Sequence, residues 1–163
     1  MPRHRTATLI HEGGDRYVAT TGSTRTIVYG DDIERGELSP VETLMVCLAA
    51  CSAMDVWPIS RKQRQEISRY EIRVEANQRD EYPQVLTRVD VTHVVDGPSV
   101  EEAAIRRAIE LSALKYCPVS AMLSSGATEV HHRFLVRNTG PEPFEVEGEV
   151  VVTGPYRRPD IVA

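Results

Sequence analysis

The segment from Thr43 to Trp57 holds one charged side chain, Asp55, and is apolar nearly all round a helical wheel. Its start is sharply punctuated. Ser39-Pro40-Val41-Glu42 puts Ser at the N-cap, Pro at the first helical position and Glu at the third, the pattern of a capping box. A helix without a polar face is either buried or packs on a second copy of itself. Pro58 is expected to kink or end it, and Arg61-Lys62-Gln63-Arg64 reads as a solvated end. The uncharged stretch, Thr43 to Met54, is too short to cross a bilayer, so no membrane span is expected.

Strands flank this helix. Thr6 to Ile10, Arg16 to Thr20 and Thr26 to Tyr29 read as a meander broken at Gly13-Gly14 and Thr21-Gly22-Ser23. Tyr70 to Asn77 and Leu86 to Val95 alternate and can form a hairpin through Asp80 to Pro83; Val89, Val91, His93 and Val95 share a face. Ser99-Val100-Glu101-Glu102 repeats the capping pattern and predicts a helix to Leu114, and Pro118 opens a third helix to Ser124. Thr128 to Val136 and Phe144 to Val152 are further strands, joined by Thr139 to Pro143, and Pro155 to Ala163 reads as a loose tail. Helices do not alternate strictly with strands, so the fold class is α+β. With 163 residues the chain suits one domain with a sizeable core.

Composition narrows function. Net charge is −5, which excludes a broad basic surface for nucleic acid. The N-terminus has charge but no apolar run after it, so it does not read as a secretory signal. Three cysteines are too few for a secreted disulfide scaffold, and a cytoplasmic protein with reduced thiols is expected. Cys51 sits mid-helix among Ala49, Ala50, Ser52 and Ala53, which permits either a core thiol or a small pocket above it. Cys117 precedes Pro118 and so reads as an N-cap, where free N–H groups and the helix dipole favour thiolate. Cys47 lies one turn before Cys51 and reads as core. Two thiols alone do not make a zinc site, and His131 and His132 point to opposite faces of a strand, so no metal and no cofactor are expected.

Two motifs carry a resemblance. Ser39-Pro40-Val41-Glu42-Thr43-Leu44 with, further on, Leu48-Ala49-Ala50-Cys51-Ser52-Ala53-Met54-Asp55-Val56 resembles the signature of the OsmC/Ohr family, and Leu111-Ser112-Ala113-Leu114-Lys115-Tyr116-Cys117-Pro118-Val119-Ser120 resembles its second cysteine motif. The subgroup with Met-Asp after the first cysteine and Lys-Tyr-Cys at the second is the most similar. The resemblance covers residues 5–137, giving an expected OsmC-like domain over 1–137 and an extension over 138–163. It implies an intertwined homodimer with two long central helices packed between β-sheets. It also implies a thiol-dependent peroxidase that reduces organic hydroperoxides in oxidative-stress defence. Cys51 would be peroxidatic and Cys117 resolving, with thiols restored by a dithiol or thioredoxin-like reductant. The alternative is a thiol-bearing protein that binds a small hydrophobic molecule without peroxidase activity.

The sequence departs from the family pattern where a glutamate comes directly after the helix-initiating proline and pairs with an arginine that activates the thiolate. Here that position is Val41, with Glu42 one residue later. Nine residues of helix place Glu42 about 13 Å along the axis from Cys51 and about 180° round it, so Glu42 can serve Cys51 only from a partner chain. Arg16 lies where the activating arginine is expected, with Arg25 and Arg64 as rivals.

Overall fold

The computed structural model describes residues 6–13, 16–21, 26–30 and 36–154; the tail expected from Pro155 lies outside them. The chain divides into two compact units, Met1–Leu44 and Met45–Ala163.

The first unit carries the expected meander. Strands β1 (Ala7–Gly13), β2 (Arg16–Thr21) and β3 (Thr26–Tyr29) form an antiparallel sheet in that order. Gly13 takes φ +115° where the pairing slips at the end of β1, a conformation that a side chain would strain. Every residue of β1 is exposed in the single chain, Leu9 and Ile10 included. After β3, Leu38 bridges to Tyr29 and leads into helix α1 (Pro40–Lys62). The capping box closes as the sequence requires: the Glu42 N–H donates to Ser39 Oγ at 3.1 Å, and the Ser39 N–H donates to Glu42 Oε2 at 3.0 Å.

Of the two outcomes expected at Pro58, an end does not occur: helix α1 runs on to Lys62, within the expected solvated end, because Val56 in the core and Ile59 against it anchor the last turn despite one missing donor. It differs from expectation in two ways. It is long and apolar enough to cross a membrane, which the shorter uncharged stretch did not suggest. Its Asp55, however, accepts a hydrogen bond from Ser112 within the fold. Finally, it is buried along only one line, Leu48, Ser52, Val56 and Ser60, each a turn apart. Met54 is 77 % exposed and Val46 59 %. Cys47, expected in the core, is exposed, because it lies off that line.

The second unit is built on a four-stranded sheet, β4 (Arg69–Gln78), β5 (Leu86–Gly97), β6 (Glu129–Asn138) and β7 (Phe144–Thr153), in that order. The outer pairs are antiparallel and β5–β6 is parallel, so the chain must cross over between them. The crossover carries helix α2 (Glu102–Leu111), one π-helical turn (Ser112–Tyr116) and helix α3 (Pro118–Ser124). The segment after residue 137 thus supplies an edge strand whose Val150 and Val151 join the core.

The capping box expected at Ser99 does not form. The Ser99 backbone is engaged in a bridge to Glu66, whose N–H donates to the Ser99 carbonyl at 2.9 Å. The N-cap is instead Glu101, and its own N–H donates to Gln65 Oε1 at 2.7 Å. Nor does α2 run to Leu114 as a regular helix. The Cys117 N–H reaches back five residues to the Ser112 carbonyl at 2.9 Å, which widens the turn and rotates the chain beyond it.

Register sets the core. On one face of the sheet, Val95 of β5 lies beside Tyr70 and Val136, and His93 beside Ile72 and Phe134. Phe134 faces Gly148 on β7, where a Cβ would stand 3.1 Å from the ring, so this glycine makes room for the phenyl group. Two imidazoles, His93 and His132, point inward on this face and are fully buried. Buried imidazoles need hydrogen-bond partners, and those partners define the site.

Candidate functional site

Cys51 on α1 and Cys117 at the start of α3 come together. Cys51 Sγ, Cys117 Sγ and a carboxylate oxygen of Asp55 all lie within 4.8 Å of one another. Asp55 is one helical turn beyond Cys51, so both side chains leave the same face of α1. Cys117 arrives from the crossover, where the π turn presents it as the N-cap of α3. All three cysteines are free thiols. Cys51 is half-buried, whereas Cys117 is 3 % exposed.

Cys117 does not have the thiolate character expected of an N-cap. Its Sγ accepts from the Ser120 N–H at 3.4 Å, which favours the charged form. Burial outweighs that, the neighbouring Cys51 thiol adds to it, and the Cys117 thiol is pushed up to about 12.

Behind the carboxylate runs a chain of buried hydrogen bonds. Ser112 Oγ donates to Asp55 Oδ2 at 3.0 Å. Ser112 Oγ also lies 3.3 Å from Ser52 Oγ, Ser52 Oγ lies 3.3 Å from His93 Nε2, and His93 Nδ1 lies 2.8 Å from the Tyr70 hydroxyl. Proton count sets the direction of the chain. A serine hydroxyl has one proton, and that of Ser112 is given to Asp55, so Ser52 donates to Ser112. Ser52 then has none left for His93, which must donate from Nε2. Nδ1 is therefore the acceptor, and Tyr70 donates to it. Burial, with the charge of His132 second, lowers His93 to about 3, so the ring is neutral as this tautomer requires. Burial, then the charge of Asp55, raises the Tyr70 hydroxyl, so it keeps its proton. Trp57 stacks on Tyr70 with centroids 5.9 Å apart and covers this end. The donor chain runs one way, from Tyr70 through His93, Ser52 and Ser112 to Asp55, and fixes the orientation of the carboxylate.

His132 anchors the other side. Its Nε2 lies 3.1 Å from Ser120 Oγ, tying β6 to the helix that Cys117 caps. Burial, with His131 second, lowers it to about 4. His131 faces the opposite way, as the alternation of a strand dictates, and its Nδ1 lies 2.7 Å from Glu149 Oε2.

In the first unit, Arg16 bonds Glu12 Oε2 and Glu37 Oε1, both at 3.1 Å. Glu37 is buried, so the guanidinium is pinned by a carboxylate that no sequence motif singles out. Glu42 is engaged in the capping box.

Asp55 lies one helical turn beyond Cys51 in the first cysteine motif, and that spacing is the sequence signal that marks it. Ser52, Ser112, Tyr70 and His93 could not be joined without the strand register and the π turn.

The model of the family described as OsmC-like protein matches residues 30–133. The chain belongs to the OsmC-like family. Protein YhfA of Escherichia coli K12 is 36 % identical over 93 residues, which is 57 % of this chain and 69 % of YhfA. A hypothetical protein from Aquifex aeolicus has a solved structure that superposes with a TM-score of 0.73 at 28 % identity, covering 83 % of this chain and 97 % of that one. A Legionella pneumophila structure described as an organic hydroperoxide resistance protein, OsmC, superposes with a TM-score of 0.59 at 14 % identity, covering 82 % and 96 %, and shares the fold. The α+β fold, with two sheets and three α-helices among the described residues, is that of OsmC-like structures.

Proposed function

We propose that this OsmC-like protein is a thiol-dependent peroxidase that reduces organic hydroperoxides in oxidative-stress defence, with Cys51 peroxidatic and Cys117 resolving. The observation that carries the reading is the convergence of the two sulfurs and one carboxylate within 4.8 Å. The name of the Legionella neighbour supports the same chemistry.

Access supports these roles. Attack on a peroxide needs an accessible sulfur, and Cys51 is the half-exposed one; the buried, weakly acidic Cys117 is protected from the oxidant. The Cys51 thiolate attacks the peroxide oxygen, the O–O bond breaks, and an alcohol leaves after taking a proton. The sulfenic acid on Cys51 is then attacked by Cys117. An S–S bond forms, the S–O bond breaks, and water departs with the proton that Cys117 gives up. Asp55, within reach of Cys117, accepts that proton in transit. A dithiol or thioredoxin-like reductant restores both thiols by exchange.

The reading includes an intertwined homodimer, because half of an apolar helix and an entire apolar-bearing strand are exposed in the single chain, and a cytoplasmic location, which suits free thiols.

Stopped-flow mixing with tert-butyl hydroperoxide tests the reading. Wild type should consume peroxide at least about a hundredfold faster than Cys51→Ser, the scale of a lost nucleophile or base. Cys117→Ser should accumulate Cys51 sulfenic acid, trapped by dimedone and located by mass spectrometry. Equal rates in wild type and Cys51→Ser would end the proposal. A second reading, binding of a small hydrophobic molecule, is favoured by an apolar hollow lined by Leu9, Tyr17, Tyr29 and Pro40. Retained ligand in native mass spectrometry, with no peroxide turnover, would select it.

A further inference from the structure

We propose that Cys51, Asp55 and Cys117 form a binding site for a thiophilic divalent cation, of which zinc is the representative. Three donors of the right kind converge within 4.8 Å: two sulfurs and one carboxylate oxygen. Bound as thiolates and carboxylate they bring three negative charges to one point, and the cation is what allows such charges to share a partly buried space. Two sulfurs and one oxygen suit zinc, whose sites take sulfur and carboxylate ligands in tetrahedral geometry. They do not suit calcium or magnesium, which require shells of oxygen.

The surroundings are those of a supported site. Asp55 Oδ2 accepts from Ser112 Oγ, and the one-way donor chain through Ser52, His93 and Tyr70 fixes that hydroxyl. Cys117 Sγ accepts a backbone N–H from Ser120, as expected for a sulfur that carries charge when bound to metal. Both outer contacts orient donors, which is the role of the outer shell around a metal. Three protein ligands would leave a fourth tetrahedral position for water or an outside ligand, the arrangement of an open site.

The site uses the sulfurs of the proposed redox pair, so on that reading metal occupancy and oxidation exclude one another. An organic hydroperoxide would take two electrons from the two bound sulfurs. An S–S bond forms, the O–O bond breaks, alcohol and water leave after two protons are taken from solvent, and the cation is released because only Asp55 remains to hold it.

Titration of the fully reduced protein with Co²⁺, with Zn²⁺ then added in competition, is the test. One Co²⁺ per chain should produce an intense thiolate-to-cobalt charge-transfer band, which Zn²⁺ should bleach. Cys51→Ser and Asp55→Asn should each weaken Co²⁺ binding at least about tenfold, and Ser112→Ala should weaken it about tenfold through loss of orientation. Cys47→Ser should leave the band unchanged. Absence of the band in reduced wild type overturns the proposal. So does a band that survives in Cys51→Ser with Cys117→Ser but disappears in Cys47→Ser. The titration contains no peroxide, so its outcome is independent of whether the protein turns over hydroperoxide, and the stopped-flow experiment is independent of the cobalt band.

Discussion

His93 and His132 are the residues through which acid should act on this protein. Both are neutral imidazoles in the folded chain, lowered to about 3 and about 4, with burial the main cause. Tyr70, Ser52 and Ser120 contact the two rings, His131 acts on His132 by charge from the opposite face of β6, and Asp55 lies at the far end of the donor chain. In the unfolded chain the same imidazoles take a proton near pH 6.5. Between that value and the folded values the unfolded state binds more protons, so stability falls as pH drops. Urea midpoints measured from pH 7.5 to 4 should decline steadily below about 6.5. The decline should be shallower in His132→Gln, whose amide can still bond Ser120 but does not titrate. A flat profile would show that neither ring charges on unfolding.

At the scale of elements, local signals and packing contribute separately. The α1 capping box is local: Ser39 and Glu42 satisfy one another's N–H groups across one turn. Ser39→Ala should cost about 1 kcal/mol in chemical denaturation, and Glu42→Ala should add little in the Ser39→Ala background because the two bonds act as a unit. The pairing of Phe134 with Gly148 is tertiary. Gly148→Val would force its side chain into the phenyl ring and should lower stability by about 1–3 kcal/mol, the usual cost of overpacking. Little change in the unfolding midpoint would mean that β7 can shift away. The π turn belongs to both categories. Its hydrogen bond joins Ser112 to Cys117, so a single irregular turn aims the hydroxyl that holds Asp55 and the sulfur beside it.

For the whole molecule, the exposed side of α1 is the feature that a single chain leaves unresolved. An apolar helix buried along one line, with Met54 and Val46 standing out, is the surface a homodimer would bury. Wild type should sediment at twice the chain mass, and Met54→Lys should shift it toward the mass of one chain at micromolar concentration. A wild-type protein that sediments as one chain would remove the homodimer from the proposed function.

The amino-acid sequence by itself determined the elements. Alternation marked the strands, prolines and Ser39 marked the starts of α1 and α3, and irregular order marked the α+β class, because those signals act over a few residues. The local signals misled at Ser99, where a bridge to Glu66 took the backbone the cap would have used, and at Cys47, where which face of α1 is covered depends on distant segments. Only the tertiary structure decided the site. Ser112 and Asp55 are 57 residues apart and meet because a parallel β5–β6 pairing forces the crossover back over α1. Cys117 sits beside Cys51 because that same crossover contains one wide turn. Such meetings depend on strand register and helix phase summed over the whole path, which no short stretch of sequence contains.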